Sequence, residues 1–152
     1  MRLIGHGVVL STLVALVCGT SFAANIDEKV LGTQELASLQ ARADASPKEQ
    51  CYLYAEMAHQ MAETAAKEMS AGDVDKATQS LATLQKYTDR IHGGLSSDTK
   101  KLKDAEILMR HTAMRLTELL HNTSTEDQPR VVEALKHFEK VRGELMLAIF
   151  NH

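Results

Sequence analysis

Two Glu-x-x-His pairs, Glu56 with His59 and Glu118 with His121, carry the sharpest chemical spacing in the chain. A glutamate and a histidine three residues apart share one helix face, and a bundle projecting two such pairs inward can hold a di-iron centre. Position along the chain weighs against that use. The two host helices are expected to run parallel, with His59 about 12 and His121 about 24 residues past their helix starts, so the pairs lie roughly 18 Å apart along the axis. His121 also points away from the apolar stripe of its helix, and both pairs read as solvated charged faces.

Counting depth along antiparallel helices brings His59, His111 and His137 to one level near mid-bundle. Imidazoles at one level suit a transition metal. By the 100° step of a helix, however, His59 and His137 lie about 70 to 90° and His111 about 130° from their stripe centres, so convergence needs a rotated bundle or a second subunit. Boundary or surface positions are the plainer reading. Met57, Met61, Met69, Met109, Met114 and Met146 add thioethers, soft ligands suited to Cu(I). Met61, Met69 and Met109 fall in apolar stripes, where flexible side chains fill gaps between alanines. The metal candidates are thus His59, His111, His137, Met57 and Met61. Covalent haem is excluded because no Cys-x-x-Cys-His occurs. Non-covalent haem between a Met and a His stays open, although three Tyr, three Phe and no Trp leave little to line a porphyrin pocket.

Cys51 lies on the stripe Cys51, Tyr54, Ala55, Ala58, Met61, Ala62, Ala65 and Met69. That placement favours a buried structural thiol over a reactive one or a disulfide between chains. A nucleophile needs an activating base within reach, and no sequence neighbour on this face provides one. Phosphate loops, serine elbows, zinc-protease motifs and paired-carboxylate signatures are all lacking, so the expectation is a non-enzymatic chain.

The 152 residues are 44% hydrophobic, 24% charged and 4% aromatic with a formal charge of −3, which fits one modest globular domain. Disorder, collagen-like repeats and a disulfide scaffold do not fit. With no basic block, nucleic acid is not expected as a partner. Residues 1–23 read as a secretory signal. Arg2 is its positive start, Val8 to Val17 its apolar run, and Ser21-Phe22-Ala23 places small residues for cleavage between Ala23 and Ala24. A lipid anchor on Cys18 is disfavoured by the branched Val17 before it. No later segment is long and apolar enough to span a bilayer, so the expected product is exported, periplasmic or extracellular.

From there the sequence reads as helices throughout, with start signals each followed by apolar residues at a period near 3.6. Asn25 with Glu28 caps an expected first helix to about Ala45, with Gly32 inside it at a cost of about 1 kcal/mol. Residues 24–46 form this helix or arm. Ser46-Pro47-Lys48-Glu49 is the clearest boundary, with Ser46 and Glu49 as a reciprocal cap and Pro47 at the first helical position. The helix it opens runs to Ala71. Gly72 then supplies a left-handed stop and Asp73 an N-cap, and so short a connector forces an antiparallel hairpin.

The next seam is Val74, Ala77, Leu81, Leu84, Thr88 and Ile91, stopped by Gly93-Gly94. Ser97 or Asp98 opens a helix on Leu102, Ala105, Met109, Thr112, Leu116 and Leu119. The last helix starts between Thr125 and Pro129, with Val131, Ala134, Phe138, Val141, Leu145 and Ala148 as its seam, Leu135 and Ile149 widening it, and Gly143 as its weak point. Residues 47–152 therefore predict an all-α, up-down-up-down four-helix bundle with an extra N-terminal helix. Ala71 to Ala77 is similar to turns of tetratricopeptide repeats, but no second copy follows about 34 residues on, so a repeat array is the weaker reading.

Cys51-Tyr52-Leu53-Tyr54-Ala55-Glu56 and the stretch from Asp98 to His111 resemble segments of small exported, all-helical, uncharacterised proteins of acidobacterial genomes. The resemblance implies a bacterial cell envelope and brings no activity, cofactor or site residue with it.

One face remains. Ile107, His111, Met114, Glu118 and His121 form a second row opposite the core seam of their helix. Ile107 and Met114 would be exposed in a plain monomeric bundle, so either the helix from Asn25 to Ala45, the favoured cover, or a partner lies over them. The expected function is a binding module of the cell envelope, its partner another envelope protein or itself. A small copper-type or haem carrier is the alternative.

Overall fold

The computed structural model describes residues 32–97 and 100–151. The expected signal segment, its cleavage point, the Asn25 cap and Asp98 lie outside the described residues. The elements are α1 (Thr33–Ala45), a 3₁₀ turn (Pro47–Glu49), α2 (Gln50–Ser70), α3 (Val74–Gly94), α4 (Leu102–Asn122) and α5 (Gln128–Asn151), with no strand among the described residues. The all-α class is as the periodicity predicts.

Several boundaries differ in chemistry from their expected form. Gly32 is not inside the first helix but at its N-cap in extended backbone, donating its N–H to Glu35 Oε2 at 3.0 Å. The Ser46 boundary stands, yet the Ser46 carbonyl, rather than its hydroxyl, accepts from the Glu49 amide at 3.0 Å. Gly72 adopts the left-handed conformation at φ 80°, where a Cβ would be strained. The Gly72 amide donates to Met69 O and the Asp73 amide to Glu68 O, the Schellman pattern that satisfies the last carbonyls of α2. The Asp73 carboxylate does not cap α3 but pairs with Lys76 Nζ at 3.0 Å.

Gly93 and Gly94 do not stop α3, which includes both. Gly94 is buried where a Cβ would stand 3.3 Å from Cys51 Sγ, so the residue permits close packing of α3 on α2. Nor does α4 start at Ser97 or Asp98. It opens at Leu102 after Lys101, whose left-handed φ of 59° breaks the chain direction.

The main packing pairs are α2 with α3, α4 with α5, α2 with α4, α3 with α5, and α1 with α2. Two hairpins therefore lie side by side, each helix of one against its counterpart in the other. Contacts between α2 and α4 advance in step along both helices, through Glu49 with Lys101, His59 with Thr112 and Glu63 with Arg115, so these neighbours run parallel. Asp89 with His137 and His92 with Glu144 give the same sense for α3 and α5. A ring of sequential helices would instead have set α3 against α4, which is not among these pairs.

Leu53, Tyr54, Met57, Leu84, Ile91, Met109, Leu116, Phe138 and Leu145 are the large side chains of the core, which also takes in Leu39 and Ala43 of α1. Each large side chain removed from water contributes about 1.5–3 kcal/mol. Buried Thr88 and Thr112 return their hydroxyl protons to Leu84 O and Leu108 O, which satisfies them inside the apolar seam.

Helix α1 is held by a polar latch. Tyr54, almost wholly buried, donates its hydroxyl to Asp44 Oδ1 at 2.8 Å, and Arg90 donates to Tyr54 Oη at 3.1 Å and to Asp44 Oδ1 at 2.7 Å. The Arg90 guanidinium also stands 5.3 Å from the Tyr54 ring centroid. The Tyr54 hydroxyl bond and Arg90 hold the Asp44 carboxyl below its ordinary range, while burial and the Asp44 contact raise the Tyr54 phenol. Helix α1 is thereby tied to α2 and α3.

Candidate functional site

The outer face of α4 gathers the features that the row periodicity singles out. Opposite the seam Leu102, Ala105, Met109, Thr112, Leu116 and Leu119, which is buried throughout, the row Ile107, His111, Met114, Glu118 and His121 is exposed at every position. Ile107 retains 43% and Met114 59% of its accessible surface. Of the segment Asn25 to Ala45 expected as their cover, the described part Thr33–Ala45 packs chiefly on α2.

A shallow groove runs along each side of the row. Between α4 and α5 a cleft of about 430 Å³ is edged by Arg110, Met114, Glu118, His121, Glu139 and Arg142. On the α2 side a depression of about 340 Å³ has Tyr52, Lys101, Asp104, Ile107 and His111 at its rim. Lys101 Nζ lies 5.0 Å from the Tyr52 ring centroid and 3.8 Å from Glu49 Oε2. Charges of both signs flank the row: Arg142 Nε donates to Glu139 at 2.8 Å, and Arg115 reaches Glu118 at 3.2 Å. Ile107 and Met114 are thus exposed apolar side chains set among charges of both signs.

Below this face a buried ion pair clamps α4 to α2. Glu63, 6% exposed, places Oε1 2.8 Å from Arg115 Nε. Burial alone would lower the Arg115 pKa, but the Glu63 charge and the Glu118 hydrogen bond more than offset it, so the pKa is raised and the guanidinium stays charged.

The structure does not bring the proposed metal ligands together. His59 lies on the α2/α4 seam. Because Thr112 gives its own hydroxyl proton to Leu108 O, His59 Nδ1 donates to Thr112 Oγ1 at 3.0 Å. His137 lies on the α3/α5 seam with Nε2 2.8 Å from Asp89 Oδ1. His111 sits on the outer face of α4. Met57 is fully buried and Met61 nearly so, both within the core. The Glu-x-x-His pairs likewise stay apart, His121 donating Nδ1 to Thr117 O of its own helix at 2.7 Å. Among the described residues no group of three or more His, Cys, Asp or Glu is arranged to hold a metal ion.

Cys51 is buried, its thiol donating to Ile91 O at 3.6 Å, as its stripe position predicts. Sequence reading missed the end of α5. Met146, Leu147 and Phe150 are exposed, the last two at 65% and 79%. The signal was available, since Gly143, Leu147 and Phe150 recur at helical spacing on the side away from Val141 and Leu145.

No helix among the described residues is long and apolar enough to cross a membrane. In comparisons with known proteins, no family model, curated protein or solved structure matches this chain.

Proposed function

We propose that this chain is a non-enzymatic interaction module of the cell envelope, a four-helix bundle with an added N-terminal helix that docks a helix of another chain along the outer face of α4. The observation that carries the reading is the row on that face: Ile107 and Met114 stand in water one heptad apart, though α4 already has a fully buried seam on its other side. Apolar side chains repeated at coiled-coil spacing on an exposed helix face fit the seam of a helical partner. The envelope setting rests on the signal-like N-terminus and on the acidobacterial resemblance. A transition-metal or haem carrier has less behind it, because His59, His111 and His137 occupy three different surfaces and Met57 and Met61 are committed to the core.

The test is a photo-reactive side chain at Met114 in the full chain, irradiated in intact cells, with the same group at exposed Lys86 of α3 as control. A discrete cross-linked species from position 114 and none from position 86 is expected. Equal labelling from both, or none from either, would overturn the reading.

A further inference from the structure

We infer that the occupant of the α4 outer face is a second copy of this chain, docked antiparallel about Met114; the inference rests on the reading of that face as a docking surface. The row Ile107, His111, Met114, Glu118 and His121 advances by 4, 3, 4 and 3 residues, the spacing that keeps one narrow seam turned toward a second helix. At 100° per residue its five members fall within about 80° of arc, and all five are exposed. The seam has room for another helix and a centre, Met114, with two residues on either side.

Its composition chooses the partner. When two copies run antiparallel across a two-fold axis at Met114, each Met114 meets the other, Ile107 of each copy faces His121 of the other, and His111 of each faces Glu118 of the other. Imidazole opposes carboxylate in the layer on each side of the axis, an apolar pair sits on the axis, and Ile107 packs on the His121 ring at each end. A parallel pairing sets Glu118 on Glu118 and His111 on His111, which repel or leave polar groups unmatched. The charged positions of the row therefore complement one another in the antiparallel orientation only, as a self-complementary isologous interface requires. Glu118 already receives Arg115 at 3.2 Å, which fixes its carboxylate at the edge of the seam, 60% exposed and with acceptor capacity to spare.

Size sets the strength. The row spans about 21 Å of helix, and two helices packed about 8–10 Å apart over that length bury less than the roughly 1,200 Å² of standard interfaces. The dimer is accordingly weak and concentration-dependent.

The experiment uses the full chain, expressed for export and purified, in sedimentation equilibrium from about 1 μM to about 1 mM. A reversible monomer–dimer equilibrium is expected, weakened at least about tenfold by Met114→Glu, with the helical circular dichroism of the monomer unchanged. Orientation is read from cysteine variants, Cys51 staying in place because it is buried. Oxidation of mixed Ile107→Cys and His121→Cys chains should give the heterodisulfide, whereas Ile107→Cys alone should not couple to itself. Self-coupling of Ile107→Cys would establish a parallel pair and overturn the inference. A strict monomer at every concentration also overturns it. In that case photo-cross-linking from position 114 to a different protein leaves the docking face standing, and its absence removes both readings.

Discussion

Removing Arg115 from the Glu63–Arg115 pair should destabilise the protein more than removing Glu63. The Glu63 side chain is 8% exposed and that of Arg115 34% exposed, at 2.8 Å from each other across the α2/α4 seam. Substituting Arg115→Met leaves a carboxylate stranded in the interior. Breaking a fully buried pair in this way costs about 3–5 kcal/mol, and partial access of water beside Arg115 brings the expectation here to about 2–4 kcal/mol. Glu63→Met leaves a guanidinium that keeps Glu118 at 3.2 Å and one edge in water, while the new side chain fills the same volume. The Arg115 Nε that faced Glu63 is buried and loses that carboxylate, so the expected cost is about 1–2 kcal/mol. Combining the two substitutions should recover most of the Arg115→Met loss, a coupling of about 2 kcal/mol. Urea unfolding followed by far-ultraviolet circular dichroism measures all three, provided the denaturant slope is common to them. If Arg115→Met costs no more than Glu63→Met, the carboxylate is not the stranded partner and the account of the clamp is wrong.

The α1 latch carries a pH dependence of defined sign. Asp44 is held below its ordinary value of 3.8, first by the Tyr54 hydroxyl and then by Arg90, so its contribution is present at neutral pH and fades as pH falls below about 3.8 through the folded value. The protection factors of α1 amides, with exchange followed by NMR and corrected for the intrinsic rate at each pH, should therefore fall on acidification before those of α5 do. Gly143→Ala, at an exposed helical position with nothing within 4 Å of the added Cβ, should stabilise by about 0.5–1 kcal/mol and raise Tm correspondingly. Phe138→Ala removes a fully buried ring from the centre of the core and should cost about 3–5 kcal/mol in the same urea assay. Leu147→Ser and Phe150→Ser, both at exposed positions, should each change stability by less than about 0.5 kcal/mol; a larger loss in either would mean that the end of α5 is covered in solution.

Elements whose signals are local were legible in the sequence, and those set by tertiary contact were not. Gly72 marks its turn because only a residue without Cβ sits easily at φ 80°, and Leu81, Leu84, Thr88 and Ile91 are buried because a helix of that period has one apolar side. The start of α4 was hidden. Nothing in Lys100-Lys101 marks a left-handed residue, and the chain turns there because Lys100 N–H donates to Lys48 O while Lys101 meets Glu49 and the Tyr52 ring. Gly94 reads locally as a stop and serves instead as a contact, since its role depends on Cys51 and Gln50 lying beside it. The α4 row was legible because exposure follows directly from period. The histidine layer was not, because axial depth says nothing of azimuth, and His59 and His137 settle against Thr112 and Asp89 on different seams.

Comparison of α2 with α4 sharpens what the exposed row implies. Leu53 and Met57 lie off the Cys51 to Met69 stripe, yet both are buried, so α2 buries far more than one stripe. Cys51 and Glu68 meet α3, His59 and Glu63 meet α4, and Leu53 and Met57 fall on the arc left to α1. Alanines at 55, 58, 62, 65 and 66 let three neighbours approach one helix. Helix α2 thus shows that apolar positions outside the main stripe acquire a cover within this chain when a helix is at hand to supply one. Helix α4 carries such positions at Ile107 and Met114, with α2 and α5 occupying its other sides and α1 already engaged on α2. Among the described helices, α3 is likewise engaged, packed on α2 and α5, so none of them is at hand to cover that row as α1 covers α2.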